Sequence, residues 1–179
     1  GGTCLNRGCI PSKMLIHAAD IVEQIKSAKK FGIKTKYEGI DFKSLVNRVS
    51  STVDKEAEQI LDGNKNNSNI TVYQETAKFL ESKVIQVGKE KITAEKIVIA
   101  AGGRPFVPPI PGLDEVEYLT SKEALRLKKL PKSMVVIGGG YISAELSHFF
   151  GTLGTKITIL ERGDAMLKRE DVDVYTKFT

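Results

Sequence analysis

The sequence is poor in the residues that build structural zinc sites, since its 179 residues include only two cysteines and two histidines. A closed zinc site takes four ligands, and neither His17 nor His148 stands at the spacing from the cysteines that zinc ribbons use. Both histidines fall in segments with a helical pattern, where packing explains them. The sequence therefore predicts no metal site and assigns no chemistry to either histidine.

Long apolar runs are also absent. No stretch of about 18 or more uncharged apolar residues occurs, and the sequence does not open with a basic stretch followed by an apolar segment. We therefore expect neither a membrane span nor a signal peptide, and we expect a cytoplasmic location.

Charge of one sign does not dominate the chain. Lys and Arg number 27 against 22 Asp and Glu, which gives a net charge of +5. The two signs are interspersed, which indicates a solvated surface and not a nucleic-acid partner. With 41% hydrophobic and 27% charged residues, the composition is that of a soluble globular protein with one domain or parts of two.

Two amphipathic helices are predicted in the first third of the chain. Apolar residues recur at three- and four-residue steps from Ser12, and Gly32 is placed to end this helix. Asp41 is a good N-cap for a second helix, which Gly63 would end.

The pattern changes to short β-prone runs in the middle of the chain, which predicts an antiparallel meander. The predicted strands cover residues 70–73, 78–80, 84–87 and 96–101. Four prolines between residues 105 and 112 exclude a helix or an inner strand there. We therefore expect an extended connection and a domain boundary near residue 112.

The last third of the chain predicts a β-α-β unit. A short helix comes first, entered at Thr120 with Glu123 three residues on, which is the spacing of a capping box. A strand over 134–137, a glycine loop, a helix to about residue 150 and a strand over 156–160 then follow. This is the element order of a parallel α/β fold.

Cys4 and Cys9 are separated by a spacing that a regular helix cannot bridge. Their Cα atoms would lie about 8.7 Å apart in such a helix, whereas a disulfide needs less than about 7 Å. A bond between them therefore requires a departure from regular helix, which Gly8 and Pro11 permit. So short a loop gains little from closure entropy, and redox cycling explains the pair better than a structural role.

A reactive thiol is physically reasonable at this position. We predict a helix start at Ser12, where unpaired backbone N–H groups and the helix dipole favour a thiolate. Arg7 and Lys13 add positive charge nearby. On spacing alone, two free buried cysteines remain an equal alternative.

The residues around the pair are more specific than its spacing. Residues 1–13, GGTCLNRGCIPSK, closely resemble the active-site segment of the pyridine nucleotide-disulfide oxidoreductases. The resemblance implies that Cys4 is the thiol that meets the substrate and that Cys9 lies against the flavin. It also implies that FAD is contacted by Gly2, Thr3 and Lys13.

Two more parts of the resemblance concern FAD. Residues 97–105 resemble the segment that ends the first FAD-domain portion in this family, so Ala101 and Gly102 are expected near that cofactor. Glu145 is expected to pair with Lys13 close to the reacting edge of the flavin. Without the resemblance, Glu145 would be interpreted as a solvated helix residue.

The loop after the strand over 134–137 has the glycines of a dinucleotide site. Gly138 and Gly140 take the first two positions of the G-x-G-x-x-G fingerprint, and Ser143 takes the third. With a strand before it and a helix after it, such a loop can cradle a pyrophosphate at a helix N-terminus. A plain tight turn is the alternative.

Glu161 ends the next strand, about 20 residues beyond Gly140, where an acidic group binds ribose hydroxyls and repels a 2′-phosphate. This favours NAD over NADP. Arg162 beside it favours the opposite, because an arginine can receive that phosphate. By the family resemblance, Tyr141 covers the nicotinamide pocket, and Ile142 and Arg162 join the same cofactor site.

The patterns predict an α/β fold with an antiparallel β-meander, and the resemblance implies that its Rossmann-like domains bind FAD and NAD(P). Residues 1–112 would form a partial FAD-binding domain with the redox disulfide and the meander, and residues 113–179 the first part of an NAD-binding domain. The resemblance covers essentially the whole chain, but not the family's opening FAD motif, its second FAD segment or its interface domain. A fragment of the full fold is therefore expected.

The implied function is the passage of two electrons among a substrate dithiol or disulfide, the cysteine pair, FAD and NAD, in a homodimer of the full-length protein. Glu161 favours the dihydrolipoamide dehydrogenase type, with lipoamide as substrate. Arg7 and Tyr141 favour a mycothione- or glutathione-type reductase that uses NADPH. A non-catalytic nucleotide-binding module is the alternative of another class.

Overall fold

The computed structural model describes residues 2–179, which divide into two compact units, residues 2–54 with 108–179 and residues 55–107. The helices are α1 Thr3–Arg7, α2 Cys9–Ser27, α3 Phe42–Lys65, α4 Ser121–Ala124, α5 Tyr141–Thr152 and α6 Val172–Phe178. The strands are β1 Ala77–Glu81, β2 Val84–Val87, β3 Glu90–Thr93, β4 Ser133–Ile137 and β5 Lys156–Leu160. None of the described helices is both long enough and apolar enough to cross a membrane.

Helix α2 begins earlier than the sequence predicts. Its first residue is Cys9 and not Ser12, and its first backbone hydrogen bond runs from the N–H of Ser12 to the carbonyl of Gly8. Pro11 therefore lies inside the first turn and does not break the helix. The N–H groups of a first turn have no partner within the helix, so a proline there costs no hydrogen bond.

The ends of α2 and α3 differ from their predicted positions. Helix α2 ends at Ser27, and a 3₁₀ turn carries the chain to Gly32, whose left-handed φ of 76° closes it. Asp41 is confirmed as the N-cap of α3, because its Oδ1 accepts a hydrogen bond from the N–H of Ser44 at 2.9 Å. Gly63 does not end α3, which continues to Lys65. A helical glycine costs only about 1 kcal/mol, which a helix of this length tolerates.

The core of the first unit lies among α2, α3 and α5. Helix α2 contributes Leu15, Ala19 and Val22, and aromatic rings come from the other two helices. Phe149 and Phe150 of α5 are edge-on, with ring centroids 4.8 Å apart, and Phe42 of α3 lies 6.2 and 6.3 Å from them. Burial of these side chains fixes the rotation of α2 and α5, and so decides which polar residues face each other beyond the core.

The second unit contains an antiparallel meander of three strands in the order β1, β2, β3. The expectation of a meander is confirmed, but two of its predicted strands, 70–73 and 96–101, are irregular backbone, and its third strand, β3, was not predicted. Val98 is 89% exposed and Ile99 75% exposed, although both are strong β-formers. Their propensity is not sufficient, because a strand also needs a neighbouring strand for its backbone hydrogen bonds.

The β-α-β unit is confirmed. Strands β4 and β5 pair in parallel from Ser133 opposite Lys156 to Ile137 opposite Leu160, and α5 connects them. The capping box is also present, since Thr120 and Glu123 close the start of α4 reciprocally. Helix α6, which the sequence did not predict, follows the unit.

Candidate functional site

The two cysteines lie on either side of a break between α1 and α2. Gly8 separates the helices, and a Cβ atom built on it would lie 2.9 Å from the carbonyl oxygen of Thr3 and 3.2 Å from the Cα of Cys4. Only a glycine lets α2 approach the backbone of Cys4 this closely. The predicted departure from regular helix is therefore confirmed at Gly8.

The thiols of Cys4 and Cys9 are free and exposed, and their side chains are hydrogen-bonded to each other. This bond is the main reason that the pKa of Cys4 is raised above its ordinary value of 9.0, with partial desolvation and negative charge on the Cys9 sulfur adding to it. The backbone N–H groups of Cys9 and Ile10 act in the opposite direction. The thiolate that a helix start was expected to favour is thus not favoured at Cys4 in the dithiol state, because the neighbouring sulfur outweighs the helix N-terminus.

Helices α2 and α5 bring together residues that are far apart in sequence. The ammonium of Lys13 and the Oε1 of Glu145 form an ion pair, as the family resemblance led us to expect. The hydroxyl of Ser12 lies 3.3 Å from the other carboxylate oxygen of Glu145 and 3.3 Å from the carbonyl oxygen of Cys9. Glu145 is therefore not a freely solvated helix residue, since both of its carboxylate oxygens face hydrogen-bond donors on α2.

Two further polar contacts between α2 and α5 were missed at the sequence level. The Nε2 of His148 lies 2.9 Å from the Oδ1 of Asp20, and the ammonium of Lys26 donates to the carbonyl of Thr152 at 2.6 Å. A signal was present, because Lys13 and Asp20 are seven residues apart on one helix and Glu145 and His148 three apart on the other. Each spacing places two charged or polar groups on one helix face.

The glycine loop lies between β4 and α5, as predicted. Gly138 has a φ of 99°, which suits glycine, and Gly140 is the N-cap of α5. Among the described residues no side chain caps this helix start, and nothing lies within 4 Å of the position of a Cβ on Gly138 or Gly140. Backbone N–H groups at an uncapped helix start with open space before them suit a pyrophosphate.

Glu161 leaves the end of β5 and turns back toward this loop. Its carboxylate accepts hydrogen bonds from the N–H of Gly139 at 2.5 Å and from the N–H of Gly163 at 2.8 Å. These bonds, the one from Gly163 first, lower the pKa of Glu161, and the charge of Arg162 adds a smaller effect. The acidic group is thus fixed and charged beside the glycine loop, where a ribose hydroxyl acceptor is needed.

The remaining predicted cofactor residues lie at several places. Tyr141, which is 65% exposed, and Ile142 open α5, and Arg162 is exposed next to Glu161. Gly2 caps α1, and Thr3 is its first residue. Ala101 and Gly102 belong to the second unit, in irregular backbone where Gly102 has a φ of 72°.

A cavity of about 430 Å³ opens beside α1. Three of its lining residues are cations, and none is acidic; the lining consists of Gly2, Asn6, Arg7, Lys122 and Arg126. One of the cations, Arg126, is already paired with Asp54. The cavity suits an anionic group such as the pyrophosphate of FAD, so the residues present fit the cofactor that the sequence implies.

Comparison with known proteins decides the family. The model of the Pyridine nucleotide-disulphide oxidoreductase family matches residues 1–177. The chain belongs to this family. Members of this oxidoreductase family use FAD and NAD(P), so the cofactors expected from the sequence are confirmed at the level of the family.

The family's members act on different substrates, and the chain resembles several of them equally. It is 36% identical to mycothione reductase from Mycobacterium tuberculosis over 187 residues, with 100% of this chain and 40% of that protein covered. It is also 36% identical to dihydrolipoyl dehydrogenase from Bacillus subtilis over 184 residues, with 99% and 40% covered. Identity alone therefore does not select a substrate.

A solved structure of a flavoprotein disulfide reductase has the same fold. The HOCl-induced flavoprotein disulfide reductase RclA from Escherichia coli superposes with a TM-score of 0.80 and 34% identity, over 97% of this chain and 37% of that one. The α/β fold of a flavoprotein disulfide reductase is thereby confirmed. The chain spans about 40% of the length of the two curated relatives.

Proposed function

We propose that the protein containing this chain is a flavin-dependent oxidoreductase of the dihydrolipoamide dehydrogenase type, which uses the Cys4 and Cys9 pair, FAD and NAD. The observation that carries the proposal is the contact between the two thiols across Gly8. Two thiols that interact directly can exchange with a substrate dithiol as a redox pair.

The exchange conserves electrons at sulfur. A substrate thiolate attacks the Cys4 sulfur of the oxidised pair, the bond between the two cysteines breaks, and Cys9 leaves as a thiolate. The second substrate thiolate then attacks the substrate sulfur that is bonded to Cys4. The substrate leaves as a disulfide, and Cys4 is released as the second thiol. FAD, when bound, supplies the two-electron chemistry that connects this dithiol to the nicotinamide.

Glu161 supports NAD as the nicotinamide cofactor. Its carboxylate is charged and fixed beside the glycine loop, so it would bind ribose hydroxyls and repel a 2′-phosphate. Tyr141 and Ile142, at the start of α5, are the residues we assign to the nicotinamide side, and Arg162 to the ribose side.

Lys13 and Glu145 are assigned to the flavin side, with Gly2, Thr3, Ala101 and Gly102 as further FAD contacts. The ion pair supports this role, because it connects α2, which carries Cys9, to α5, which begins at the glycine loop. The division into an FAD part, residues 1–112, and an NAD part, residues 113–179, remains our proposal. So do the homodimer and the cytoplasmic location.

Steady-state assays of the full-length protein test the proposal. We expect oxidation of dihydrolipoamide with NAD to be favoured over reduction of mycothiol or glutathione disulfide with NADPH. Replacing Glu161→Gln should narrow the ratio of NAD to NADP use, whereas the matched variant of an exposed glutamate, Glu117→Gln, should not. A strong preference for NADP in the unaltered protein would contradict the assignment.

One observation favours a second candidate, a mycothione- or glutathione-type reductase. Arg7 lies three residues after Cys4, at the end of α1, and is exposed, so a substrate disulfide with carboxylates would be attracted to it. The same assays distinguish the two. A non-catalytic module would instead show two reactive thiols in the oxidised protein and no change of flavin absorbance when a dithiol is added.

A further inference from the structure

Ser12 occupies a position that neither the redox chemistry nor the helix start explains. It is the fourth residue of α2 and only 9% exposed. Its Oγ lies 3.3 Å from the carbonyl oxygen of Cys9 and 3.3 Å from the Oε2 of Glu145. A small buried hydroxyl thus lies between the backbone of Cys9 and helix α5.

The hydroxyl has one proton and faces two acceptors. At 3.3 Å each contact is longer than an ordinary O–H···O bond, as expected when one proton is shared. The Oε1 of Glu145 meanwhile accepts from Lys13. Neighbouring residues of α2 therefore hold the two oxygens of the carboxylate, and its rotation about the last side-chain bond is restricted.

We propose that Ser12 is a positioning residue, which fixes the Glu145 carboxylate for its ion pair with Lys13 and connects that pair to the backbone of Cys9. This rests on the proposed function, in which Cys9 and Lys13 face the flavin. Without Ser12, Lys13 and Glu145 remain paired, but Glu145 loses its second donor and the carboxylate gains freedom to turn.

A purely local role is the competing explanation. Serine hydroxyls often bond to a carbonyl three or four residues earlier in a helix, and that contact alone would serve only α2. The two explanations differ in whether the effect of Ser12 depends on Glu145. Ser147 on α5 provides a matched control, because its hydroxyl is also buried but has no hydrogen-bond partner among the described residues.

The contact can be tested without any cofactor by a double-mutant cycle on thermal unfolding. Ser12→Ala and Glu145→Ala are measured singly and together in the full-length protein, with Ser147→Ala and Glu145→Ala as the control cycle. We expect Ser12→Ala to lower the unfolding midpoint by at least twice as much in the unaltered protein as in the Glu145→Ala background. Equal effects in both backgrounds would overturn the proposal.

The functional consequence is tested in the holoenzyme by single-turnover reduction of the flavin with NADH. We expect Ser12→Ala to slow reduction about threefold to tenfold, which is the size expected for loss of one ordinary hydrogen bond, because the long, shared contact is weaker than a full bond to a charged group. Ser12→Thr keeps the hydroxyl and should restore the rate to within about twofold, and Ser147→Ala should match the unaltered protein. A normal rate for Ser12→Ala, or no rescue by threonine, contradicts positioning while leaving the proposed function intact. An unaltered protein with no reducible flavin would reject both.

Discussion

Helices α2 and α5 both begin after a glycine, and at both starts a backbone N–H meets an acidic group. At α2 the N–H groups of Cys9 and Ile10 are directed at the thiol of Cys4. At α5 the N–H of Gly139 is bound by the carboxylate of Glu161. The N–H of Gly139 precedes the N-cap Gly140, so the carboxylate is held by the glycine loop, whereas the sulfur meets N–H groups of the helix start itself.

The two regions also differ in what surrounds a glycine beside them, Gly8 directly before α2 and Gly139 in the loop before α5. A Cβ on Gly8 would meet main-chain atoms of Thr3 and Cys4, which cannot move separately from α1. A Cβ on Gly139 would meet the Oε2 of Glu161 at 2.9 Å and the Cγ of Met166 at 3.0 Å, which are side-chain atoms that can rotate. The turn at Gly8 is therefore fixed by backbone, whereas the glycine loop is bounded by side chains that can adjust, as suits the nucleotide site that we propose there.

The largest predicted effect follows from a change at Gly8, where backbone atoms leave no space for a side chain. Replacing Gly8→Ala should force α1 and α2 apart, and overpacking of this kind costs about 1–3 kcal/mol. We expect the equilibrium between disulfide and dithiol to shift about tenfold or more toward the dithiol, measured against a glutathione redox buffer in the full-length protein.

Gly63 is the matched control for that variant. It lies in α3 with nothing within 4 Å of its Cβ position. Replacing Gly63→Ala should leave the thiol equilibrium unchanged and stabilise the fold by about 0.5–1 kcal/mol. A Gly8→Ala protein with the thiol equilibrium of the unaltered protein would show that the close approach at Gly8 does not matter.

A smaller effect is expected at Gly139, because the side chains of Glu161 and Met166 around it can rotate away. Replacing Gly139→Ala should displace Glu161 and Met166 but leave both helices in place. We expect the KM for the nicotinamide cofactor to rise about threefold to tenfold with the thiol equilibrium unchanged. The comparison fails if this variant perturbs the thiols as strongly as Gly8→Ala does.

The sulfur at the α2 start makes a prediction about pH. The pKa of Cys4 is raised mainly by its hydrogen bond with Cys9. Replacing Cys9→Ala removes that bond but keeps the backbone N–H groups of residues 9 and 10, so the pKa of Cys4 should fall. Alkylation of the reduced protein by iodoacetamide should then begin at lower pH, while Ile10→Val should follow the unaltered protein. An upward shift in the Cys9→Ala protein would mean that the neighbouring sulfur is not the cause.

The smallest effect is expected away from both helix starts. Arg126 and Asp54 form a bidentate but exposed ion pair. The hydrogen bond from Arg126 lowers the pKa of Asp54. Replacing Asp54→Asn should cost about 0.2–1 kcal/mol in urea unfolding at neutral pH, since exposed pairs are screened by water. Because the lowered pKa belongs to the folded state, this stabilisation is lost as the pH falls through it, and the variant should match the unaltered protein once the pH is well below that pKa. A loss that persists there would need another explanation.

Features decided by neighbours in sequence could be predicted. The capping box at Thr120 and Glu123 and the N-cap at Asp41 each depend on residues within one turn, and both are present. The β-α-β unit is longer, but its three elements follow one another along the chain and each has a clear pattern of its own. The pairing of Lys13 with Glu145 was expected only through the family resemblance, since no local pattern connects residues 132 positions apart.

Features decided by distant partners could not be predicted. Residues 96–101 have the composition of a strand, yet no described strand pairs with them. Gly63 is a residue type that often ends a helix, but here it does not adopt the left-handed conformation of a helix end, and α3 continues to Lys65. The contacts of Ser12 and His148 with Glu145 and Asp20 required knowing how α2 and α5 pack.

The central claim is that Cys4 and Cys9 bond reversibly and exchange electrons with a flavin. The most direct test counts free thiols in denatured samples of the oxidised full-length protein, before and after anaerobic addition of one equivalent of NADH per flavin. Our account predicts that neither cysteine is free before the addition and that both are free after it, with the peptide of residues 1–13 carrying the two labels. Two labelled cysteines in the oxidised protein, or none after NADH, would contradict it.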